Sequence, residues 1–437
     1  MTSSRSRSAP RVLFVCHNHP SFHPGGTEIF AHDLFRHMKD VDGIEAMFLA
    51  CTNKVHRDQK PGTNFQTVGR SSDELVLWAG HFDRFYQSQI DLHGIVPDLS
   101  TLLQSFRPDI VHIHHTLLLG VEMLFLIRRV LPRARIVYTL HDYYPICAND
   151  GQMVTTDGHR LCASASPDAC HRCFPERTPD KFVLREKHLK GMLSLVDRFV
   201  SPSHFLRERY IAWGLPADRI TVLRNGRPPA PAALAEEQAP AAGQSPARRN
   251  VFGYFGNLSP YKGILVALGA ARMLAEKDED FVLHVHGGMP FQSDAFKAEI
   301  DEAAKSCGGR VIRHGAYRRD EMARLLNAVD WVITPSIWWE NAPLVIQEAF
   351  QQGRPVICSD IGGMAEAVTD DHDGLHFRTG DAADLARAMR RAMTLPGLWQ
   401  RLASNISPVR TVAESAAEHR SLYAGLTTAA TLRSSRR

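Results

Sequence analysis

The sequence predicts an α/β protein made of two doubly wound parallel-sheet domains facing a central cleft. Three observations carry this. Short apolar runs alternate with helical stretches along nearly the whole chain, the pattern of strands covered by helices on both faces. A segment rich in Pro and Ala at 227–249 divides that alternation into two sets. The stretch 330–353 shows one unit in full: the apolar run Asp330–Thr334, a Pro-containing loop, and a helical run from Leu344 closed by Gly353. Strand, loop and helix in that order make a half-unit of a Rossmann-type domain.

The elements follow in order. Residues 1–226 form the first domain, with strands at Arg11–Cys16, Ala46–Ala50, Ile110–His114, Ile136–Leu140 and Arg198–Val200. Helices are expected at Glu28–Met38, Leu99–Ser105, Val121–Val130 and Phe182–Leu195. The exposed linker 227–249 leads to a second domain, 250–410, with strands at Val251–Tyr254, Phe281–His286, Val311–His314, Trp331–Thr334 and Pro355–Cys358. Residues 411–437 hold a last helix, Val412–Leu426, and a basic tail. A length of 437 residues supplies ample core for two such domains. Two domains on a linker leave a cleft, a preferred place for ligands.

The candidate binding residues sit where strands hand over to helices. Glu340 lies in the loop after the strand 331–334, at the ligand crevice, and Glu348 lies just past the start of the next helix. Carboxylates suit sugar and ribose hydroxyls. The backbone of Pro343, Leu344 and Val345 offers unpaired helix-start amides to an anion such as a diphosphate. Lys262, with Asn257, occupies the first strand-to-helix turn of the second domain, where its charge suits a phosphate. Gly25 and Gly26 occupy the equivalent turn of the first domain and either admit a ligand to the backbone or simply make a tight turn. This loop is not the G-x-G-x-x-G fingerprint, which weighs against a dinucleotide oxidoreductase. His141, at the end of the strand 136–140, either hydrogen-bonds a ligand or is satisfied by a neighbouring carboxylate such as Asp142.

Taken together, these residues resemble the retaining glycosyltransferases of family 4. Glu340 and Glu348 match that family's Glu-x7-Glu motif, Gly25-Gly26-Thr27-Glu28 its Gly-Gly-x-Glu loop, and His141 its strand-end histidine. The resemblance implies the GT-B fold, with the first domain on the acceptor side and the last helix crossing back to it. It also implies transfer of a sugar from a UDP- or GDP-sugar to a glycan, lipid-linked or small-molecule acceptor, in surface polysaccharide or glycolipid synthesis. Glu348 is then expected on the ribose and Lys262 with Asn257 on the diphosphate. Glu340, Asn341 and the backbone after Pro343 are expected on the sugar, with His141 on its other side. Glu340 and His141 are catalytic in the sense of positioning and polarising. The family usually has Arg where this chain has Asn257. Two alternatives stand beside this reading: a catalytically silent binding or partner protein that kept the fold, and a related nucleotide-sugar enzyme such as an epimerase.

One segment lies outside the common core. Cys147, Cys162, Cys170 and Cys173 cluster in a polar stretch with a C-x2-C knuckle, and read as a structural zinc site with His159 or His171 as substitute ligands. Unconnected thiols are the alternative. The resemblance implies that no cofactor takes part in the reaction itself. A net charge of only +4 makes no case for nucleic acid. The basic ends, Arg5 and Arg7 at one and Arg433, Arg436 and Arg437 at the other, read as disordered termini or as peripheral contacts to an anionic membrane surface. No secretory signal or transmembrane run is expected, and eight cysteines without an export signal point to the reducing cytoplasm.

Overall fold

Five consecutive buried residues, Val12–Cys16, form the first strand (β1) of an eight-stranded sheet. The computed structural model describes residues 10–69, 71–158, 160–229, 249–290 and 292–434. They fall into two units: one joins the chain up to Pro228 with residues from Arg410 onward, and the other runs from Pro229 to Val409. Arg5, Arg7, Arg436, Arg437, most of the Pro/Ala-rich linker and His159 lie outside the described residues.

In the first unit β1 is followed by α1 (Gly26–Asp40), β2 (Ala46–Thr52), β3 (Phe65–Thr67) and β4 (Glu74–Trp78). A small ribbon comes next, β5 (Phe82–Asp83) with β6 (Ser88–Gln89), then α2 (Leu92–Phe106), β7 (Ile110–Ile113), α3 (Met123–Val130) and β8 (Arg135–Thr139). The unit continues through α4 (Pro167–Cys173), α5 (Pro179–Leu193), β9 (Arg198–Ser201), α6 (His204–Trp213) and β10 (Ile220–Val222). The strand order is β10-β9-β8-β7-β1-β2-β4-β3, parallel except for the edge strand β3, which pairs antiparallel with β4. The C-terminal helix Val412–Ser434 belongs to this unit and places Ala416 and Tyr423 in the same core as Phe14, Phe30 and Phe48. The Tyr423 hydroxyl meets His112 Nδ1 of β7 at 2.6 Å.

Two departures from the sequence reading have simple causes. The strand β4 goes unmarked in the sequence because it opens on Glu74, a charge that is 8% exposed and held by His19 and His32 at 2.9 Å each. Helix α2 begins seven residues earlier than its apolar pattern suggests and runs through Pro97, because the Asp91 side chain caps it by accepting from Gly94 N at 3.1 Å.

The second unit comprises β11 (Val251–Phe255), α7 (Ile264–Ala275), β12 (Val282–His286), α8 (Asp294–Lys305), β13 (Val311–Gly315), α9 (Met322–Asn327) and β14 (Trp331–Thr334). These lead into α10 (Leu344–Gln351), β15 (Val356–Ser359), α11 (Gly362–Ala367), β16 (Gly374–Phe377), α12 (Ala382–Thr394) and α13 (Leu398–Asn405). Its six strands are all parallel, in the order β13-β12-β11-β14-β15-β16. Alternate residues feed opposite faces: Trp331 and Ile333 join the core under α7 and α12, while Val332 joins the core under α9 and α10. Helix α10 stops as its sequence indicates. Gly353 takes φ +64°, Arg354 N bonds Ala349 O at 2.9 Å and Gly353 N bonds Phe350 O at 2.9 Å, a Schellman ending. Among the described residues no helix is long and apolar enough to cross a membrane.

Candidate active site

In each sheet the first strand stands between two neighbours whose chain connections run in opposite directions. That is the switch point at whose carboxyl edge a crevice opens. In the second unit it lies between β11 and β14, and the loops after these two strands carry the candidate residues. The loops are tied together where Ile337 N bonds Tyr261 O at 2.9 Å. Gly263 makes their approach possible, with φ at +68° and an added Cβ lying 1.8 Å from Pro335 O. A Gly263→Ala variant must therefore take a left-handed backbone and push the loops apart. It is expected to lose at least about 1–2 kcal/mol from the backbone cost alone. Urea unfolding checks this, and a loss below 0.5 kcal/mol (about a tenth of a marginal domain's stability) would refute the tight-loop account.

The loops bring Lys262 and Glu340 together. Lys262 Nζ lies 2.5 Å from Glu340 Oε1 and 5.4 Å from the Trp338 ring centroid. The same oxygen accepts from Ser336 Oγ at 2.8 Å and Trp338 Nε1 at 2.9 Å, so Oε2 takes part in none of the three bonds. Glu340 is only 7% exposed. Burial pushes its carboxyl up, but the Lys262 ammonium and the three hydrogen bonds outweigh that and hold it below the usual range. The Glu340 carbonyl is pinned as well, accepting from Gly363 N at 2.6 Å. Helix α10 starts with Pro343 as N-cap and no side-chain cap, so the amides of Leu344 and Val345 are not satisfied by a cap. Glu348 lies one turn into that helix, partly exposed, near enough to Tyr317 to help burial raise its hydroxyl pKa. Asn341 is partly exposed beside Glu340, and Asn257 is exposed.

The first unit gathers a second group, at the carboxyl ends of β1, β7 and β8. His17 follows β1 and contacts Glu28, in the first turn of α1, at 3.0 Å. Gly25 supplies the extended N-cap before Gly26, and a Cβ there would lie 2.5 Å from Glu28 Oε2. Burial works against both charges, yet their attraction dominates: Glu28 falls to about 2 and His17 rises well above the ordinary histidine value. His141 lies 3.0 Å from His114, Nε2 to Nδ1, and burial, with the charges of His115 and His17, drives its pKa down to about 3. His141 is therefore neutral near pH 7. Asp142 is not its hydrogen-bond partner. Its carboxylate instead meets His115 Nε2 at 2.8 Å.

The structure thus joins Lys262, Glu340 and Asn341 in one group, and Gly25, Gly26 and His141 in another. Four contributors escaped the sequence reading: Ser336 and Trp338, which orient Glu340, and His17 and His115, which hold the buried Glu28 and the partly exposed Asp142. Their common signal is position, since each lies in the few residues following a strand that ends at a switch point. The four candidate cysteines belong to neither group. They line a cavity of about 100 Å³ in the segment between β8 and α5, and none forms a disulfide.

Comparison with known proteins identifies the family and the fold. Residues 24–231 match Glycosyltransferase Family 4, and residues 235–407 match Glycosyl transferases group 1. The chain belongs to the family 4 type of glycosyltransferases. It is 28% identical over 246 residues to the lipopolysaccharide 1,2-N-acetylglucosaminetransferase of Salmonella typhimurium, covering 53% of this chain and 62% of that one. It is 32% identical over 157 residues to the D-inositol 3-phosphate glycosyltransferase of Streptomyces bingchenggensis, covering 35% and 34%. The matches thus span from about a third to under two thirds of these relatives. Among solved structures, the HepE protein of Anabaena, in complex with UDP and glucose, superimposes with a TM-score of 0.66 at 18% identity, covering 95% of this chain and all of that one. The fold is GT-B.

Proposed function

We propose that this protein is a retaining glycosyltransferase that moves a sugar from a nucleotide-diphosphate donor to a glycan or lipid-linked acceptor in surface polysaccharide or glycolipid synthesis. The observation that carries the reading is the buried, ionised Glu340 held by Lys262 at the switch point of the second sheet. When the bond from the sugar's anomeric carbon to the diphosphate breaks, negative charge grows on the leaving phosphate. Lys262 has three N–H donors, of which one is directed at Glu340, so two remain for phosphate oxygens. The open amides of Leu344 and Val345 add fixed partial positive charge. Glu340 Oε2 and Asn341 are assigned to sugar hydroxyls, Glu348 to the ribose, and Asn257 to the diphosphate as an uncharged donor. In the first unit the neutral His141 is assigned to the transferred sugar as a hydrogen-bonding group. HepE has also been solved with UDP-glucose, which supports a nucleotide-sugar donor, and one relative is named a lipopolysaccharide 1,2-N-acetylglucosaminetransferase, which supports a surface-glycan acceptor. The protein is placed in the cytoplasm, at the periphery of the inner membrane face where lipid-linked acceptors are met.

Thermal unfolding with UDP, GDP and ADP tests the donor side. A nucleotide at about 100 times its dissociation constant stabilises the native state by about 2.7 kcal/mol. One of the three is expected to raise the melting temperature of the wild type and to do so far less for Glu348→Ala. No shift with any nucleotide would count against the proposal and favour a silent member of the fold.

A further inference from the structure

We infer that the four cysteines of the segment between β8 and α5 bind one zinc ion, which clips that segment together. The segment has little regular structure to hold it, although Tyr143, Ile146, Met153 and Val154 are buried. Between Thr139 and Pro179 its regular structure is one isolated bridge, Val154 to Leu161, and the seven-residue helix α4, which has no buried residue. A metal clip would cross-link turns of chain that no helix or sheet ladder ties together.

The cysteines are placed to supply it. They come from three separate turns of chain, Cys147, Cys162 and the pair Cys170 and Cys173, and all line the same cavity of about 100 Å³. The other four, Cys16, Cys51, Cys307 and Cys358, are fully buried and behave as ordinary small apolar residues. Cys170 and Cys173, three apart on α4, present their sulfurs from one face of the helix. The strands of the small bridge bring Cys162 across, with Cys162 N bonding Met153 O at 2.8 Å, and Thr156 Oγ1 ties the bridge to α4 through Cys173 O at 2.8 Å. The segment is anchored in turn by Arg185 of α5, 4% exposed, which donates to the carbonyls of Tyr144 and Pro145 at 2.6 and 2.7 Å.

No three of these sulfurs lie within 4.8 Å of one another, among the described residues. Tetrahedral Zn–S bonds of about 2.3 Å place sulfurs about 3.8 Å apart. Rotation about a cysteine χ1 moves its sulfur by about 3 Å, so at least two of the four must turn inward into the shared cavity to close the site. Capture of Zn²⁺ by four thiols releases four protons and leaves a tetrathiolate centre of net charge −2. Arg160 and Arg172, which line the same cavity, offset that charge. A rival cluster, His284, His286 and His314, has its ring nitrogens within 4.8 Å. Its His286 and His314 rings, however, stack 4.2 Å apart at 8° to one another. A metal bound in the plane of one ring cannot lie in the plane of the other.

The test is metal analysis of the full-length protein purified under reducing conditions without added metal. About one zinc per chain is expected in the wild type, and under a tenth of that in Cys170→Ser/Cys173→Ser. Loading with Co²⁺ is expected to give the charge-transfer and visible bands of tetrahedral cobalt thiolate, a readout on the wild type that stands even if the variant folds poorly. Less than about a fifth of an equivalent of zinc together with no thiolate-to-cobalt band would overturn the inference. So would a disulfide among the four, or zinc that survives the double substitution and is lost in His314→Ala.

Discussion

Replacing Glu340 with glutamine is expected to leave the protein folded and to lower turnover at least about 100-fold. The amide oxygen of glutamine can still accept from Ser336, Trp338 and Lys262, so the buried donors keep a partner. What disappears is the negative charge that holds the Lys262 ammonium between carboxylate and indole. Removal of one preorganised electrostatic group at a reacting centre costs about 100- to 1000-fold in turnover. Lys262→Met should give a loss of the same order, and the double variant should lose much less than the product of the two, because the residues act as one unit. Glu340→Leu separates stability from chemistry: it strips the acceptor from Ser336, which is 4% exposed, at a cost of about 1–3 kcal/mol. Donor turnover and urea unfolding measured side by side on the four variants decide the matter. A Glu340→Gln enzyme within three-fold of wild type would remove Glu340 from the reaction.

Acidification should unfold the first unit sharply between about pH 6.5 and 5. His112, His114 and His419 are fully buried. Burial, and for the first two also the charge neighbouring imidazoles would acquire, holds all three pKa values low, His419 at about 4 and the others well below 6.5. A histidine whose folded pKa is depressed binds its proton in the unfolded chain first. Its contribution is therefore complete above the unfolded value and declines as pH falls toward the folded one. Each such group costs about 1.4 kcal/mol per pH unit. Three together cost about 4 kcal/mol per unit, set against a total of about 5–15 kcal/mol. The His17–Glu28 pair does not drive this loss. Its raised histidine gives stability that is complete below pH 6.5 and lost only as pH rises through the folded value, and its carboxylate contribution, present above 4.5, is lost only as pH falls toward about 2. Calorimetry from pH 7.5 to 5 should show a shallow upper limb, declining slightly toward pH 7.5 as the His17 contribution is lost, and a steep lower one. Equal melting temperatures at 6.5 and 5.5 would contradict the neutral-imidazole account.

Much of this is legible in the amino-acid sequence. The strands Val251–Phe255 and Trp331–Thr334 are apolar on both faces, so their runs are unbroken, and the loops after them locate Lys262 and Glu340 without further information. The Gly353 ending is equally local, one backbone conformation that glycine adopts cheaply. Where the sequence is silent, a partner distant along the chain is responsible. Glu74 looks like a surface charge until His19 and His32 come from β1's loop and α1 to meet it. Asp142 is adjacent to His141 yet pairs with His115, because successive residues past a strand end point in different directions and the neighbouring strand presents the nearer ring. The convergence of three donors on Glu340 Oε1 depends on how the loop 335–340 curls, and spacing alone does not encode that.

The helix Val412–Ser434 has a consequence for the order in which the chain acquires structure. Its Tyr423 completes the core begun by Val12 and Phe14, and Val412 N bonds Arg227 O at 2.9 Å where the two crossings between the units run side by side. During synthesis the second unit, continuous from Pro229 to Val409, has all of its strands once residue 409 has left the ribosome. The first unit emerges earlier but still lacks its closing helix, so it must wait through the making of nearly two hundred further residues with Phe14, Phe30 and His112 uncovered. The part of the molecule translated first is the last to become complete, and over that interval it is the part most in need of a chaperone.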